Sequence, residues 1–471
     1  MTRFNIVDGR FTQQESDRLE FKSSRSNLSK DFWPTYSAFA NTFGGTIVIG
    51  VDDSTYEPVG VEDPEKLIKE LWDLLNDGKK VNVNLLSPKD IEVIEVSGKD
   101  LVVVNVPRAE RRKRPVYING SMENGTYKRN GEGDYHCSIT ELKNMLRDSS
   151  DSASPDSEIL TEADILDLDE HSISSFRERL SKRNPSHPWN DRSNEDFLRL
   201  VGAISKDGDG IYHPTVAGIL MFGYDYSIMA IFPNYHLDYL EFLDGGSGWS
   251  YRISTGTGEF TGNIYSFIVE VSNRISLNNG RSKELDGIAR IDDTMIIRAQ
   301  RELLVNALVN ADYHGLKGIR AELRPNSFMV RNPGNLRIPL NEMFDGGVSD
   351  PRNPHIAVML SLIGLSERAG SGVSDIVATC NKLGLPYPSY IETSDPETVT
   401  VNLSLNAWSE RKDINDAILD KMRQNPSISL DSIAQSLGVE KNKLVRRVNS
   451  LKDSGRVERI GGTRGRWAVN D

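Results

Sequence analysis

Two neighbouring stretches decide how the N-terminal part of this chain folds: Glu15–Ser24, ESDRLEFKSS, and Ala38–Asp53, AFANTFGGTIVIGVDD. The first carries Glu15 five residues before Glu20, with Lys22 just beyond. Residues 32–41 are dense in aromatic and small apolar side chains and read as a helix. Gly44-Gly45 breaks it, and TIVIGV follows as a short β-branched strand. Asp52 and Asp53 lie at the end of that strand, where a carboxylate next to glycine can face a cleft.

Working outward, a helix is expected over 64–76, followed by strands at IEVIEV (91–96), LVVVNVP (101–107) and GTYKRN (125–130). The expected product is an α+β lobe over residues 1–148. RDSSDSASPDSE, 147–158, lacks apolar periodicity and reads as a linker, assigned to 149–158. A middle α/β region is expected over 159–286. A further α/β unit, 287–408, opens with a long helix in DDTMIIRAQRELLVNALVNADY. No linker separates those two. Residues 409–471 read as three helices and a hairpin turning at Gly461-Gly462, a winged helix-turn-helix.

The chain has 471 residues, 38% hydrophobic and 26% charged, which is globular composition and excludes wholesale disorder. No apolar run reaches the ~18 residues of a membrane helix, so no membrane partner is expected, and the first residues have no apolar signal-peptide segment. Two cysteines cannot build a disulfide framework, which points to a reducing, cytoplasmic setting. The net charge is −12, yet residues 409–471 hold 13 Lys and Arg against 9 Asp and Glu. Nucleic-acid contact is therefore expected locally, in the basic tail and in patches.

Glu15, Glu20 and Asp53 (or Asp52 in its place) come from separate elements. Three such carboxylates can hold Mg²⁺ or Mn²⁺ through oxygen and activate water for phosphodiester cleavage, with Lys22 offsetting charge on the scissile phosphate. Solvated strand-end charges are the plain alternative. The run RAERRKR supplies Arg108, Arg111, Arg112, Lys113 and Arg114, and Lys128 and Arg129 follow. Such a cluster positions phosphates, and Tyr117 and Tyr127 can stack on bases.

ESDRLEFKSS, AFANTFGGTIVIGVDD and PVYINGSMENGTYKRNGEG, in that order over roughly 12–147, resemble the Schlafen AlbA-like domain family. The resemblance implies a nucleic-acid-binding lobe. In the Schlafen nucleases it implies a metal-dependent acidic triad cutting RNA, tRNA especially, at positions matching Glu15, Glu20 and Asp53. Many bacterial relatives with this signature are known only as regulators. Schlafen cores pair two such lobes and this chain carries one, so a homo-oligomer is expected.

In RELLVNALVNADYHG, Glu302 and Asn306 fall on one helix face. A GHKL-type ATPase uses that pair to orient water and hold Mg²⁺; a solvent-facing pair is the plain alternative. NPGNL supplies Gly334, and ERAGSGVSD supplies Gly370 and Gly372, where backbone N–H groups can approach phosphates. The run over roughly 160–405 resembles the GHKL-like C-terminal domain of the RecG-related family, which implies an α/β sandwich binding ATP or another nucleotide. Two departures stand out: Asn332-Pro333-Gly334 lacks the adenine-reading Asp, and Asn310-Ala311 precedes Asp312-Tyr313 where His-Arg is usual.

In the tail, Leu444, Val445, Val448 and Leu451 are expected inside. Lys441, Lys443, Arg446 and Arg447 are expected to face the major groove or backbone, with Arg464 and Arg466 on the wing. The combined expectation is an α+β multidomain protein: Schlafen-like lobe, GHKL-like sandwich and winged helix. One reading is a metal-dependent endonuclease, RNA or tRNA favoured, gated by nucleotide and suited to defence against phage. The other is an ATP-responsive, DNA-binding transcriptional regulator without nuclease activity.

Overall fold

In the computed structural model the described residues are 4, 6–7, 10–150, 154–243, 248–281, 290–366, 372–406, 415, 417–419, 421–423, 425–426, 428–437, 439, 441–453, 456–460 and 466–469. They fall into two units, Met1–Ala153 and Ser154–Asp471.

The first unit is organised by two strands that run parallel, β1 (Leu19–Lys22) and β2 (Gly45–Ile49), joined through helix α1 (Phe32–Asn41). Parallel neighbours need a crossover, and the helix supplies it. Almost every residue of α1 is buried, in keeping with its lack of a polar face. Gly44 makes the turn into β2 at φ 71°; a Cβ there would lie 2.8 Å from the Arg108 backbone nitrogen. Strands β3 (Ile91–Val96) and β4 (Lys99–Val106) complete an antiparallel edge in the order β1-β2-β4-β3.

Both faces of this sheet are apolar. Ile47, Ile49, Val102 and Val104 pack under α1 and α2 (Pro64–Leu75), while Phe21, Val48, Leu101 and Val103 form a second core. Glu20 is paired with Ile47 and so lies on the α1 face, where a charge needs a partner. A two-stranded hairpin, β5 (Tyr127–Asn130) and β6 (Gly133–His136), packs on α1. Helix α3 (Ile139–Ser149) follows, closed at its start by a Ser138/Glu141 capping box.

The expected linker is only partly one. Asp156 is fully buried, and its Oδ2 accepts the backbone N–H of His355 at 2.7 Å and of Ile356 at 3.0 Å. It therefore caps helix α6 (Pro354–Leu362). The boundary expected at 286/287 lies outside the described residues. A six-stranded sheet takes β7 (Leu237–Glu241) and β8 (Tyr251–Ser254) from one side of it. From the other it takes β9 (Ile319–Arg324), β10 (Ser327–Pro333), β11 (Ser389–Ser394) and β12 (Glu397–Ser404), in the order β8-β7-β9-β10-β12-β11. Only β7 and β9 pair in parallel, across helices α4 (Ile264–Arg281) and α5 (Arg290–Asn310). One continuous hydrophobic core joins these helices, the sheet, α6 and α7 (Gly372–Leu383).

In the C-terminal segment, α8 (Leu430–Leu437), α9 (Lys441–Asp453) and the antiparallel pair β13 (Val457–Ile460) and β14 (Arg466–Val469) share a small core. Leu444, Val448 and Leu451 are buried and Val445 is half-buried, in line with the expected inward face. The predicted turn at Gly461-Gly462 lies outside the described residues. No described helix is long and apolar enough to cross a membrane.

Candidate functional site

The acidic residues of the first unit are held in three different ways. Glu20, 7% exposed, accepts Lys22 Nζ on Oε1 at 2.5 Å and Arg129 Nη2 on Oε2 at 2.6 Å. Arg129 is itself buried, with its guanidinium over the Phe39 ring. Its remaining donors reach the Ser16 carbonyl at 2.9 and 3.1 Å and Asp134 Oδ1 at 2.9 Å. Asp134 also accepts the Thr35 hydroxyl at 2.6 Å. Burial works against the charge on Arg129, and its pairing with Glu20 and Asp134 outweighs that, so its proton is held more firmly than usual. A buried ion pair of this kind is stable only when its lone pairs and N–H groups are used, as they are here.

Glu15 accepts the Phe21 backbone N–H at 3.0 Å. Burial, with the charge of Glu20 adding to it, raises its carboxyl above the usual range against the pull of that hydrogen bond, Lys22 and Arg129. Asp52 instead closes a turn. Its Oδ1 accepts the Ser54 hydroxyl at 2.6 Å and the Thr55 backbone N–H at 2.8 Å, bonds that lower its carboxyl to about 2. Asp53 is exposed in that turn.

Among the described residues, no group of three or more His, Cys, Asp or Glu side chains is arranged to hold a metal ion. Glu15, Glu20 and Asp53 do not form such a group. The physical reason is on the α1 face: Arg129 and Lys22 already neutralise Glu20.

The basic cluster also divides. Arg129 and Arg114 are buried, 1% and 6% exposed, and cannot form a surface. Arg111 donates to the Asp148 carbonyl at 2.9 Å, and Lys128 pairs with Glu141 at 2.5 Å. Arg112 and Lys113 are exposed and Arg108 is half-buried. In the tail, Lys441, Arg446 and Arg466 are exposed and Arg447 is half-buried, with Lys441 paired to Asp431 at 2.7 Å. Arg464 and the side chain of Lys443 lie outside the described residues. Tyr127 packs on the His136 ring at 4.3 Å between centroids, part of the hairpin.

In the second unit, a cavity of about 380 Å³ opens beside the C-terminal half of α5. Glu302 and Asn306, four residues apart on α5, both line it, as does Gly372 at the start of α7. A Cβ on Gly372 would come within 2.0 Å of Glu302 Oε1, so the absence of a side chain leaves room for that carboxylate. The Asn306 amide nitrogen and the Asn335 amide oxygen are buried and have no hydrogen-bond partner. Unpaired polar atoms are costly inside a protein and are expected where a ligand supplies the partner. These two suit a ligand with both acceptors and donors, as a nucleotide has.

Gly334 does not line the cavity. It turns the chain at φ 98° where a Cβ would press on Arg352 Nη2. Gly370 lies outside the described residues. Asn332, in the place of the expected aspartate, does line it, with its Nδ2 donating to the Pro333 carbonyl at 3.0 Å.

Sequence reading missed Asp134, the second partner of Arg129, and the cavity residues Asn335, Arg337, Asp350 and Tyr390. Only Asn335 carried a signal, being the residue after the quoted Asn332-Pro333-Gly334.

Residues 15–138 match the family described as "Schlafen, AlbA_2". Residues 317–403 match "Putative ATP-dependent DNA helicase recG C-terminal", and residues 143–238 match "Domain of unknown function (DUF8451)". No curated protein matches the chain. Among solved structures, the DIP2311 protein from Corynebacterium diphtheriae aligns over 99% of this chain and 82% of its own, at 18% identity and TM-score 0.41. The N-terminal domain of a Nitrosomonas europaea protein described as "Putative ATP-dependent DNA Helicase RecG-related Protein" aligns over 26% of this chain and 86% of its own, at 31% identity and TM-score 0.21. Neither superposition is close enough to transfer a role. With its buried Glu20–Arg129 lobe and its six-stranded sheet beside a polar cavity, the chain joins a Schlafen AlbA_2 domain to a domain of the recG C-terminal family.

Proposed function

We propose that this chain is a nucleic-acid-binding regulator whose second unit senses an ATP-class nucleotide in the cavity beside α5. The observation that carries the nucleotide part is the meeting of Glu302, Asn306 and Gly372 on one cavity with an unpaired Asn306 amide. Asn306 would hold the Mg²⁺ that accompanies a polyphosphate through its amide oxygen, and Glu302 would orient water. Nucleic-acid binding is supported by the Schlafen AlbA_2 match and by exposed Arg112, Lys113, Arg446 and Arg466. Backbone contacts of that kind position a duplex or an RNA without cutting it.

The regulator is preferred over the endonuclease because Lys22 and Arg129 each hold one oxygen of Glu20. A cation would have to displace a buried guanidinium that has two other acceptors holding it. The experiment is direct: tRNA, single-stranded DNA and duplex DNA are incubated with the full chain and with Glu20→Ala in Mn²⁺. Intact substrates with a footprint on duplex DNA are expected. Cleavage by the wild type that disappears in Glu20→Ala would overturn the regulator and restore the metal-dependent endonuclease.

A further inference from the structure

The six-stranded sheet has two unlike faces. Ala321, Leu323, Phe328, Val330, Val401 and Leu403 belong to the core shared with α4 and α5. Strand alternation puts the residues between them on the opposite face. There Arg252 on β8, Arg320 and Arg324 on β9 and Arg331 on β10 stand with only two carboxylates, Asp238 on β7 and Glu322 on β9. The side chains of Arg252 and Arg324 are 40% and 49% exposed, and Asn402 on β12 and Ser389 on β11 are exposed as well, so this face is open to solvent.

The charges on it do not balance. Asp238 accepts Arg252 Nε at 2.7 Å, with Arg320 Nη1 3.7 Å away, and Glu322 accepts Arg320 Nε at 2.7 Å and Arg324 Nη2 at 2.8 Å. Each acid is thus shared between two guanidinium groups. Arg331 gets neither: among the described residues it has no ion pair, and its buried Nε has no hydrogen-bond partner. The register adds a further cost, because Arg331 is the cross-strand partner of Arg320. Like charges directly opposite each other in an antiparallel pair are destabilising. In a chain of net charge −12, two arginines side by side on an open face with one left unpaired make a site that an anion completes.

Single-stranded nucleic acid matches this face best. The Arg324 guanidinium is held over the Phe242 ring at 4.2 Å, and a base stacks on a guanidinium plane presented in that way. Beyond Arg331 the face turns to small polar side chains, with Thr400 directly opposite it, and Asn402 next on the same face of β12. Those groups can hydrogen-bond exposed base edges. A duplex keeps its base faces stacked inside and would use the arginines alone. So would an acidic peptide.

We propose that this open sheet face binds single-stranded nucleic acid, with one phosphate bridging Arg320 and Arg331 and a base stacked on Arg324. It is a surface separate from the exposed Arg112, Lys113, Arg446 and Arg466, and it does not involve the cavity beside α5.

The test is fluorescence anisotropy of the full chain with labelled oligo(dT) and oligo(rU), a duplex of the same length and a poly-glutamate peptide, each over a range of salt. Arg331→Gln is expected to weaken single-strand binding about tenfold, as loss of a charge-assisted hydrogen bond does. The slope of log affinity against log salt should fall in magnitude by about 0.7, one phosphate contact on a single strand. Duplex binding should be unchanged. Thr400→Glu gives Arg331 a carboxylate from the neighbouring strand and is expected to weaken single strands too, so it decides the matter should Arg331→Gln fail to fold. Unchanged single-strand affinity in a folded variant, or an equal loss on duplex, would overturn the proposal. Poly-glutamate binding as tightly as the oligonucleotides would assign the face to an acidic protein segment and overturn it too. If wild type binds duplex but no single strand, this proposal falls and the regulator stands; if it binds no nucleic acid, both fall.

Discussion

The Glu20 carboxylate and the Arg129 guanidinium, 109 residues apart in the chain, meet at 2.6 Å inside the first unit. Arg129 ties β5 to β1 through that contact and to the Ser16 carbonyl just before it, so one side chain fastens the hairpin to the sheet.

Arg129→Ala leaves buried Glu20 and half-buried Asp134 with one cation fewer. Breaking a buried pair from one side costs about 3–5 kcal/mol, more than deleting both partners in favour of apolar groups would. Urea denaturation of the full chain is expected to show that loss in the transition of the first unit. A shift below ~1 kcal/mol would mean that water reaches this site and screens it.

The pair of His355 and Asp156 gives a stability that depends on pH. The Asp156 side chain bonds His355 Nδ1 at 3.1 Å, and this hydrogen bond raises the imidazole above its ordinary 6.5 against the opposing effect of burial. A raised folded-state value means that the folded state holds the proton longer than the unfolded chain does. The stabilisation is complete below pH 6.5 and disappears as pH rises through the higher folded value. Wild type is therefore expected to lose stability relative to His355→Gln as pH rises above 6.5. Urea midpoints measured across that range check it, and parallel curves would show the proton to be irrelevant. In both proteins Asp156 still accepts the backbone N–H groups of residues 355 and 356.

What the sequence made legible follows from how local each signal is. TIVIGV and LVVVNVP became strands because β-branched runs between glycine and proline have few other options. The pairing of Glu302 with Asn306 on one cavity was legible because helical spacing alone puts them on one face. The fate of Glu20 was not, since its partner lies beyond α1 and the rest of the sheet. Lys128 and Arg129 are adjacent in a basic run, yet strand alternation sends one to Glu141 and the other inward to Glu20. Asp156 reads as linker because its composition is polar, but it caps a helix through the backbone N–H of His355, 199 residues later. Long-range partners of charged residues leave no periodicity to detect.

Asn306 offers the sharpest separation of folding from binding. Its Nδ2 is buried and unpaired, so the fold carries the desolvation of that donor without a compensating bond. Deleting an unsatisfied group removes that penalty, and Asn306→Ala keeps a good helix former within α5. Its thermal midpoint is therefore expected to equal or slightly exceed that of wild type. In the same variant, stabilisation by Mg·ATP is expected to vanish, because the amide that meets the polyphosphate and its cation is gone. Wild type, by contrast, should gain about 2.7 kcal/mol at a ligand concentration 100 times the dissociation constant. Thermal scans of both proteins with and without Mg·ATP measure the four values needed. A variant that melts lower without ligand would show Asn306 to be a packing residue of α5. A variant still stabilised by Mg·ATP would place the nucleotide elsewhere in the chain.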